Sequence, residues 1–125
     1  MTEAVIVATA RSPIGRAAKG SLVSIRPDDL SAQIVKALMA KVPSVSASDV
    51  EDLIMGCGQP AGEAGFNIAR VTAVLAGLDE APGVTVNRYC SSSLQTIRMA
   101  AHAIKAGEGD CFIAAGVETV SRYAA

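Results

Sequence analysis

The chain has 125 residues, half of them apolar, with eleven Lys and Arg against twelve Asp and Glu and a net charge of −1. That size and apolar content suit one domain hiding roughly two-thirds of its unfolded surface. Neither charge sign clusters and Trp is absent, so neither a nucleic-acid-binding surface nor one for an anionic membrane is expected.

Met1-Thr2-Glu3 lacks the basic start of a signal peptide, and no apolar run reaches membrane-spanning length. Ala4–Ala8 is a continuous apolar run, which predicts a strand buried on both faces of a parallel sheet. A long loop follows, broken at Pro13 and Gly15; its length suits either a functional role or a solvated connection. Pro27 then fits the first turn of a helix, with Asp28 and Asp29 complementing its positive end. Leu30, Ile34, Val35, Leu38, Met39 and Val42 form its apolar stripe, and Pro43 stops it. Ser44–Asp49 is a turn-rich joint, where Ser48 and Glu51 have capping-box spacing.

Leu53-Ile54-Met55 predicts a second buried strand. The residues Gly56-Cys57-Gly58-Gln59-Pro60-Ala61 formally match a dinucleotide fingerprint. That fingerprint needs a helix opening at the glycines, whereas Pro60, Gly62 and Gly65 delay the helix until about Asn67. Nucleotide binding is therefore not expected. Asn67 suits an N-cap, with Ile68, Val71, Thr72 and Leu75 on one face and Gly77 closing the helix. Arg70 within it is either an anchor for a neighbouring carbonyl or carboxylate, or solvated.

Val84-Thr85-Val86 is a short β-branched run, Asn87–Cys90 a polar break, and Ser91–Ala106 a helix closed by Gly107. Leu94, Ile97, Ala101 and Ile104 recur at helical spacing, and so little charge predicts a helix packed on most sides. Ser91, Ser92 and Ser93 offer capping hydroxyls. Cys111–Ala115 predicts a fourth strand, and a loop begins at Gly116. Strands alternating with helices imply an α/β layer, largely parallel, with right-handed crossovers.

Cys90 is the candidate nucleophile. It stands where a strand yields to a helix, and the positive helix terminus favours thiolate over thiol. Its alternative is a buried structural cysteine. His102, the one histidine, follows twelve residues later on the same predicted helix. That spacing is roughly 18 Å along the axis, far beyond the ~3 Å reach of a proton-transfer partner. Cys57 follows another strand and could approach Cys90, although a small buried residue in a tight turn explains it as well; Cys111 reads as core. Three irregularly spaced cysteines point to a reducing compartment, here the cytoplasm, and with no C-x-x-C no metal site is expected. Either residues outside this chain complete the site, or Cys90 is not catalytic.

The residues resemble the thiolase family, the acyl-CoA acetyltransferases, along the whole chain. Ala10–Arg16 with Gly20-Ser21-Leu22 looks like the family's opening loop. Gly56, Gln59, Gly62, Asn67, Ala69, Arg70 and Gly77-Leu78 match its second strand and helix. Asn87-Arg88-Tyr89-Cys90-Ser91-Ser92-Ser93-Leu94-Gln95 looks like its nucleophile segment, and Gly116–Ser121 the segment after its fourth strand. Ser93 stands where the family often has Gly, and Thr96 where Ala is common.

The resemblance implies residues 1–125 as the N-terminal half of a thiolase-like α/β fold, a mostly parallel mixed sheet with crossover helices, the inserted loop region starting at about 117–125. It implies Cys90 as nucleophile in ping-pong transfer, with coenzyme A and acyl-CoA as substrates and no bound cofactor. The family's Gly-His-Pro, Cys-x-Gly-Gly-Gly and Asn-Glu-Ala-Phe-like motifs would lie in later sequence, so a complementary C-terminal part and a homodimer or homotetramer are expected. Two other readings stay open: a ketoacyl-synthase-like condensing enzyme, and a non-catalytic half-domain serving in assembly.

Overall fold

The computed structural model describes residues 2–123. Its first helix, α1 (Pro27–Lys41), begins at the proline and carries Asp28 and Asp29 in its first turn. The central strand β1 (Asp52–Gly56) is buried from Leu53 onward. Helix α2 (Ile68–Leu75) starts at Asn67, whose Oδ1 accepts from the Arg70 N–H at 3.4 Å and from Thr85 Oγ1 at 2.8 Å. Strand β2 (Val84–Val86), helix α3 (Ser92–Ala106) and strand β3 (Phe112–Gly116) complete the set. Gly107 closes α3 in the left-handed conformation, φ 78°, as its position predicts.

The sheet is parallel throughout among the described residues, in the order β2-β1-β3. Chain order and strand order together put the β1–α2–β2 and β2–α3–β3 crossovers on opposite faces when both are right-handed. The side-chain alternation of β1 fits this. Leu53 and Met55 join Val35, Ile68, Ala69 and Ala73 in the main core under α1 and α2. Ile54 and Gly56 face α3.

Four strands are expected from the sequence, and three form. Ala4–Ala8 lies outside the sheet, with Val5, Ile6 and Val7 each 70–73% exposed. A strand buried on both faces needs a neighbour for its backbone and cover for both sides, and the described residues supply neither. The capping box is likewise displaced. It is formed by Ser46 and Asp49, the Asp49 carboxylate accepting from the Ser46 N–H at 2.8 Å. Glu51 instead accepts from the Asp110 N–H at 2.6 Å.

Helix α3 departs most from expectation. Its buried residues are Ser92, Thr96 and Ala100, while Leu94 is 68% and Ile97 45% exposed. The slim face rests on the sheet, and the first half of the apolar stripe, Leu94 and Ile97, points away from it, while Ala101 and Ile104 are half-buried. Arg70 is the anchor that one reading expects. Its Nη1 donates to the Asp79 carbonyl at 2.9 Å and the Ala81 carbonyl at 2.7 Å, pinning the turn before β2.

Charged groups tie the outer segments together. Arg26 pairs with Asp28 at 2.9 Å and Glu63 at 3.2 Å, and Arg122 pairs with Glu63 and donates to the Ser24 carbonyl. The Arg26 guanidinium holds the Asp28 carboxyl below its ordinary range. A carboxyl depressed in the folded state stabilises fully above its unfolded value and loses that contribution as pH falls through the folded one. The wild-type chain should therefore lose stability as pH drops below about 4. Asp28→Asn should show a shallower acid limb in urea melts taken between neutral and low pH.

Candidate active site

In the parallel register Gly56 stands opposite Val86 on one side and Gly116 on the other. The strands thus end level, and the residues that follow meet at one edge. The ladder runs slightly further, with the Cys57 N–H donating to the Val86 carbonyl and the Val117 N–H to the Gly56 carbonyl, each at 3.0 Å. Cys57, Cys90 and Glu118 belong to the three loops gathered there.

Two glycines let α3 begin directly on this edge. A Cβ at Gly56 would lie 2.6 Å from the Ser92 carbonyl carbon, and one at Gly116 would lie 1.8 Å from Ser93 Oγ. Gly56 cannot carry a side chain without pushing the helix backbone away, and a side chain at Gly116 would force Ser93 to move its hydroxyl.

Cys90 lies in a short 3₁₀ turn, Tyr89–Ser91, running straight into α3. It is exposed, so the buried alternative does not hold. The serines act differently from the predicted caps. No side chain caps α3. Ser92 Oγ instead accepts from the Arg88 N–H at 2.8 Å and donates to the Tyr89 carbonyl at 2.7 Å, and Ser91 Oγ donates to the Arg88 carbonyl at 3.0 Å. The hydroxyls point back into the corner that presents Cys90. Tyr89 sits in the left-handed region at φ 51°, unusual for a bulky side chain, and these bonds help hold it there.

The other cysteines are masked. Cys57 is 2% exposed and donates to Glu118 Oε1 at 3.4 Å. Burial, aided by that carboxylate, pushes its thiol up to about 11. Burial also raises Cys111, helped by the charges of Asp49 and Glu51. His102 is exposed in the third turn of α3, which leaves it about 18 Å from Cys90 along the helix.

Glu118 was not singled out by sequence reasoning. Its carboxylate accepts from the Gly58 N–H at 3.0 Å to each oxygen and from the Gln59 N–H at 3.3 Å. Tyr123 is pushed up to about 12 by burial and by the Glu118 charge. The hints were its place just after a strand and within Gly116–Ser121, a segment already noted for its family resemblance.

The described residues form grooves, two of which bear on the site. One of about 610 Å³ is lined by Arg26, Asp29, Gln33 and Lys36. The other, about 290 Å³, lies between the opening loop and residues 118–122. Cys90 lines neither of them. The glycine motif after β1 leads to a 3₁₀ turn at Gly62–Ala64, and the helix waits until Ile68, as a decoy fingerprint would. No group of three metal-ligating side chains occurs among the described residues, nor any helix long and apolar enough to cross a membrane.

A family model described as the N-terminal domain of thiolase matches residues 4–125. The chain belongs to the thiolase family. It is 51% identical over 123 residues to a β-ketoadipyl-CoA thiolase of Acinetobacter baylyi, covering 98% of this chain and 30% of that protein. It is 49% identical to a 3-ketoacyl-CoA thiolase of Bacillus subtilis, covering 98% and 31%. A Shewanella frigidimarina 3-ketoacyl-CoA thiolase is 48% identical over 94% of the chain and 31% of its own length. This thiolase chain thus spans about a third of the curated relatives it matches.

Limited treatment with iodoacetamide followed by peptide mapping should modify Cys90 first and Cys57 last, since burial both hides the latter and holds its proton. Equal modification of all three in folded protein would contradict this. Gly56→Ala should destabilise the fold by about 2–3 kcal/mol through overpacking against Ser92, measured by chemical denaturation.

Proposed function

We propose that this chain supplies the nucleophile of a thiolase-type acyltransferase whose remaining parts lie outside residues 1–125. The observation that carries the reading is the exposed Cys90 thiol at the start of α3, on the edge where three post-strand loops meet. The names of the relatives support acyl-CoA substrates.

In this mechanism the Cys90 thiolate attacks the keto carbonyl of a 3-ketoacyl-CoA, and the adjoining α–β carbon–carbon bond breaks. Acetyl-CoA leaves as its enolate and is protonated by a group outside this chain. The acyl-cysteine then passes its acyl group to the thiol of coenzyme A, restoring the thiolate. In the degradative direction coenzyme A splits a 3-ketoacyl-CoA; in the reverse direction two acetyl-CoA condense. The Cys90 N–H is one donor for the oxyanion. The acid–base group comes from elsewhere, because His102 stands too far along α3. The acyl-CoA pocket is likewise shared with other residues, which fits a thiol lying in neither groove.

The uncovered apolar residues support the same view. Val5, Ile6 and Val7 lie outside the sheet, and Leu94 and Ile97 project from α3. Together they suit a complementary C-terminal part, in a cytoplasmic homodimer or homotetramer. They equally favour the second reading, a half-domain that serves only in assembly.

A thiolysis assay on acetoacetyl-CoA separates the two. It is run with this chain, with a downstream chain carrying the Gly-His-Pro and Cys-x-Gly-Gly-Gly motifs, and with both together. Turnover should require both chains, and Cys90→Ala should lower it at least about a thousandfold. Full activity of the Cys90→Ala pair would leave only the assembly role.

A further inference from the structure

The corner that presents Cys90 is held from two sides. On the helix side the clamp is local: Ser92 Oγ bonds the Arg88 N–H and the Tyr89 carbonyl. On the other side a series of bonds crosses all three loops of the edge. The Glu118 carboxylate accepts from the Gly58 N–H at 3.0 Å and from the Gln59 N–H at 3.3 Å, and the latter shares its peptide unit with the Gly58 carbonyl. The carbonyl of Gly58 accepts from Asn87 Nδ2 at 3.3 Å. Asn87 Oδ1 then accepts from the Tyr89 N–H at 2.8 Å. Tyr89 is the strained residue immediately before Cys90.

We propose that Glu118 and Asn87 are positioning residues for Cys90, coupled in series through Gly58 and the Tyr89 N–H. Part of the inference rests on the nucleophile assignment made above, since that assignment makes the corner matter for acyl transfer.

Each link has a physical reason to strengthen the next. A carboxylate accepting from peptide N–H groups makes charge-assisted bonds, and chains of hydrogen bonds polarise one another. Among the described residues Glu118 joins no salt bridge, so backbone N–H groups and the Cys57 thiol are its main partners. Asn87 is suited to its place because one amide both donates and accepts. Its two ends reach loops that follow different strands, which a hydroxyl or a carboxylate could not do in the same way. The third loop anchors the relay from outside the corner: Glu118 lies 60 residues from Gly58, and Asn87 lies 29 from it. The Tyr89 backbone is thus restrained by bonds that its own segment does not make.

The test measures amide hydrogen exchange and steady-state kinetics in the intact protein encoded by the reading frame that carries this chain. Glu118→Gln keeps the size of the side chain and removes the charge. Asn87→Ala removes both the donor to Gly58 and the acceptor for the Tyr89 N–H. Both variants should speed exchange of the Tyr89 amide about tenfold, although Glu118 does not touch that amide. The double variant should exchange no faster than the faster single variant, as expected for a series. In turnover, each single variant should lower kcat about tenfold while KM stays within about twofold, because a misplaced nucleophile costs the reacting geometry more than substrate binding. Asn87→Gln, whose amide is displaced by one methylene, should not restore either value.

Unchanged Tyr89 exchange in Glu118→Gln, with the Gly58 amide alone deprotected, would overturn the series. So would additive effects in the double variant. A loss of circular dichroism in Glu118→Gln would pass the decision to Asn87→Ala, at an exposed position, which should then speed exchange of the Gln59 amide, a group that Asn87 does not touch. An unchanged Gln59 amide would overturn the coupling. The exchange arm reads without turnover, so a protein that fails to cleave acetoacetyl-CoA refutes the proposed function and leaves the coupling to be decided by its own measurement.

Discussion

The site depends on how closely α3 approaches the sheet. Gly56 and Gly116 are paired across β1 and β3, and each would collide with the first serines of α3 if it carried a Cβ. Removing two side chains at adjacent strand ends lets a helix terminus rest on the ladder itself. The chain leaving β2 then has only a few residues in which to turn from strand to helix. That forces the sharp corner, the left-handed Tyr89 and the exposed Cys90. A helix set further from the sheet would allow a longer, looser turn and a less defined thiol.

Much of this was legible because it is local. The β-branched run before Asn87, the helical spacing after Ser91 and the terminal Gly107 mark strand, corner and helix, and all three stand where expected. Asn67 was legible too, as a capping amide, whereas Arg70 read equally as anchor or solvated cation until the carbonyls of Asp79 and Ala81 decided it. What failed depends on tertiary surroundings. An apolar run such as Ala4–Ala8 specifies that it should be covered, not by what. Periodicity identified the two faces of α3 and not which one meets the sheet. Glycines on β1 and β3 reversed that choice, because a slim face fits a sheet stripped of side chains and a leucine face does not.

The role of Glu118 was hidden for a related reason. A carboxylate after a strand looks like solvated surface until the register brings β1 and β3 level, and parallel pairing across 60 positions leaves no local trace. The same is true of the ion pairs among Arg26, Asp28, Glu63 and Arg122. They draw the start of α1, the turn after β1 and the segment after β3 into one cluster. These long-range polar contacts fasten the loops, while the apolar core under α1 and α2 fastens the elements.

The three-strand sheet has one further consequence. With β1 in the centre, β2 and β3 are both edges, and each offers unpaired backbone groups along one side. The same chain carries, far from both edges in sequence, a bare β-branched run, Val5-Ile6-Val7, free of the Lys, Pro or bulge that usually blunts such a segment. A donor strand and acceptor edges on one molecule invite strand addition between molecules. In isolation this chain therefore carries a built-in route to head-to-tail polymer, and whatever pairs those edges also serves as its protection against aggregation.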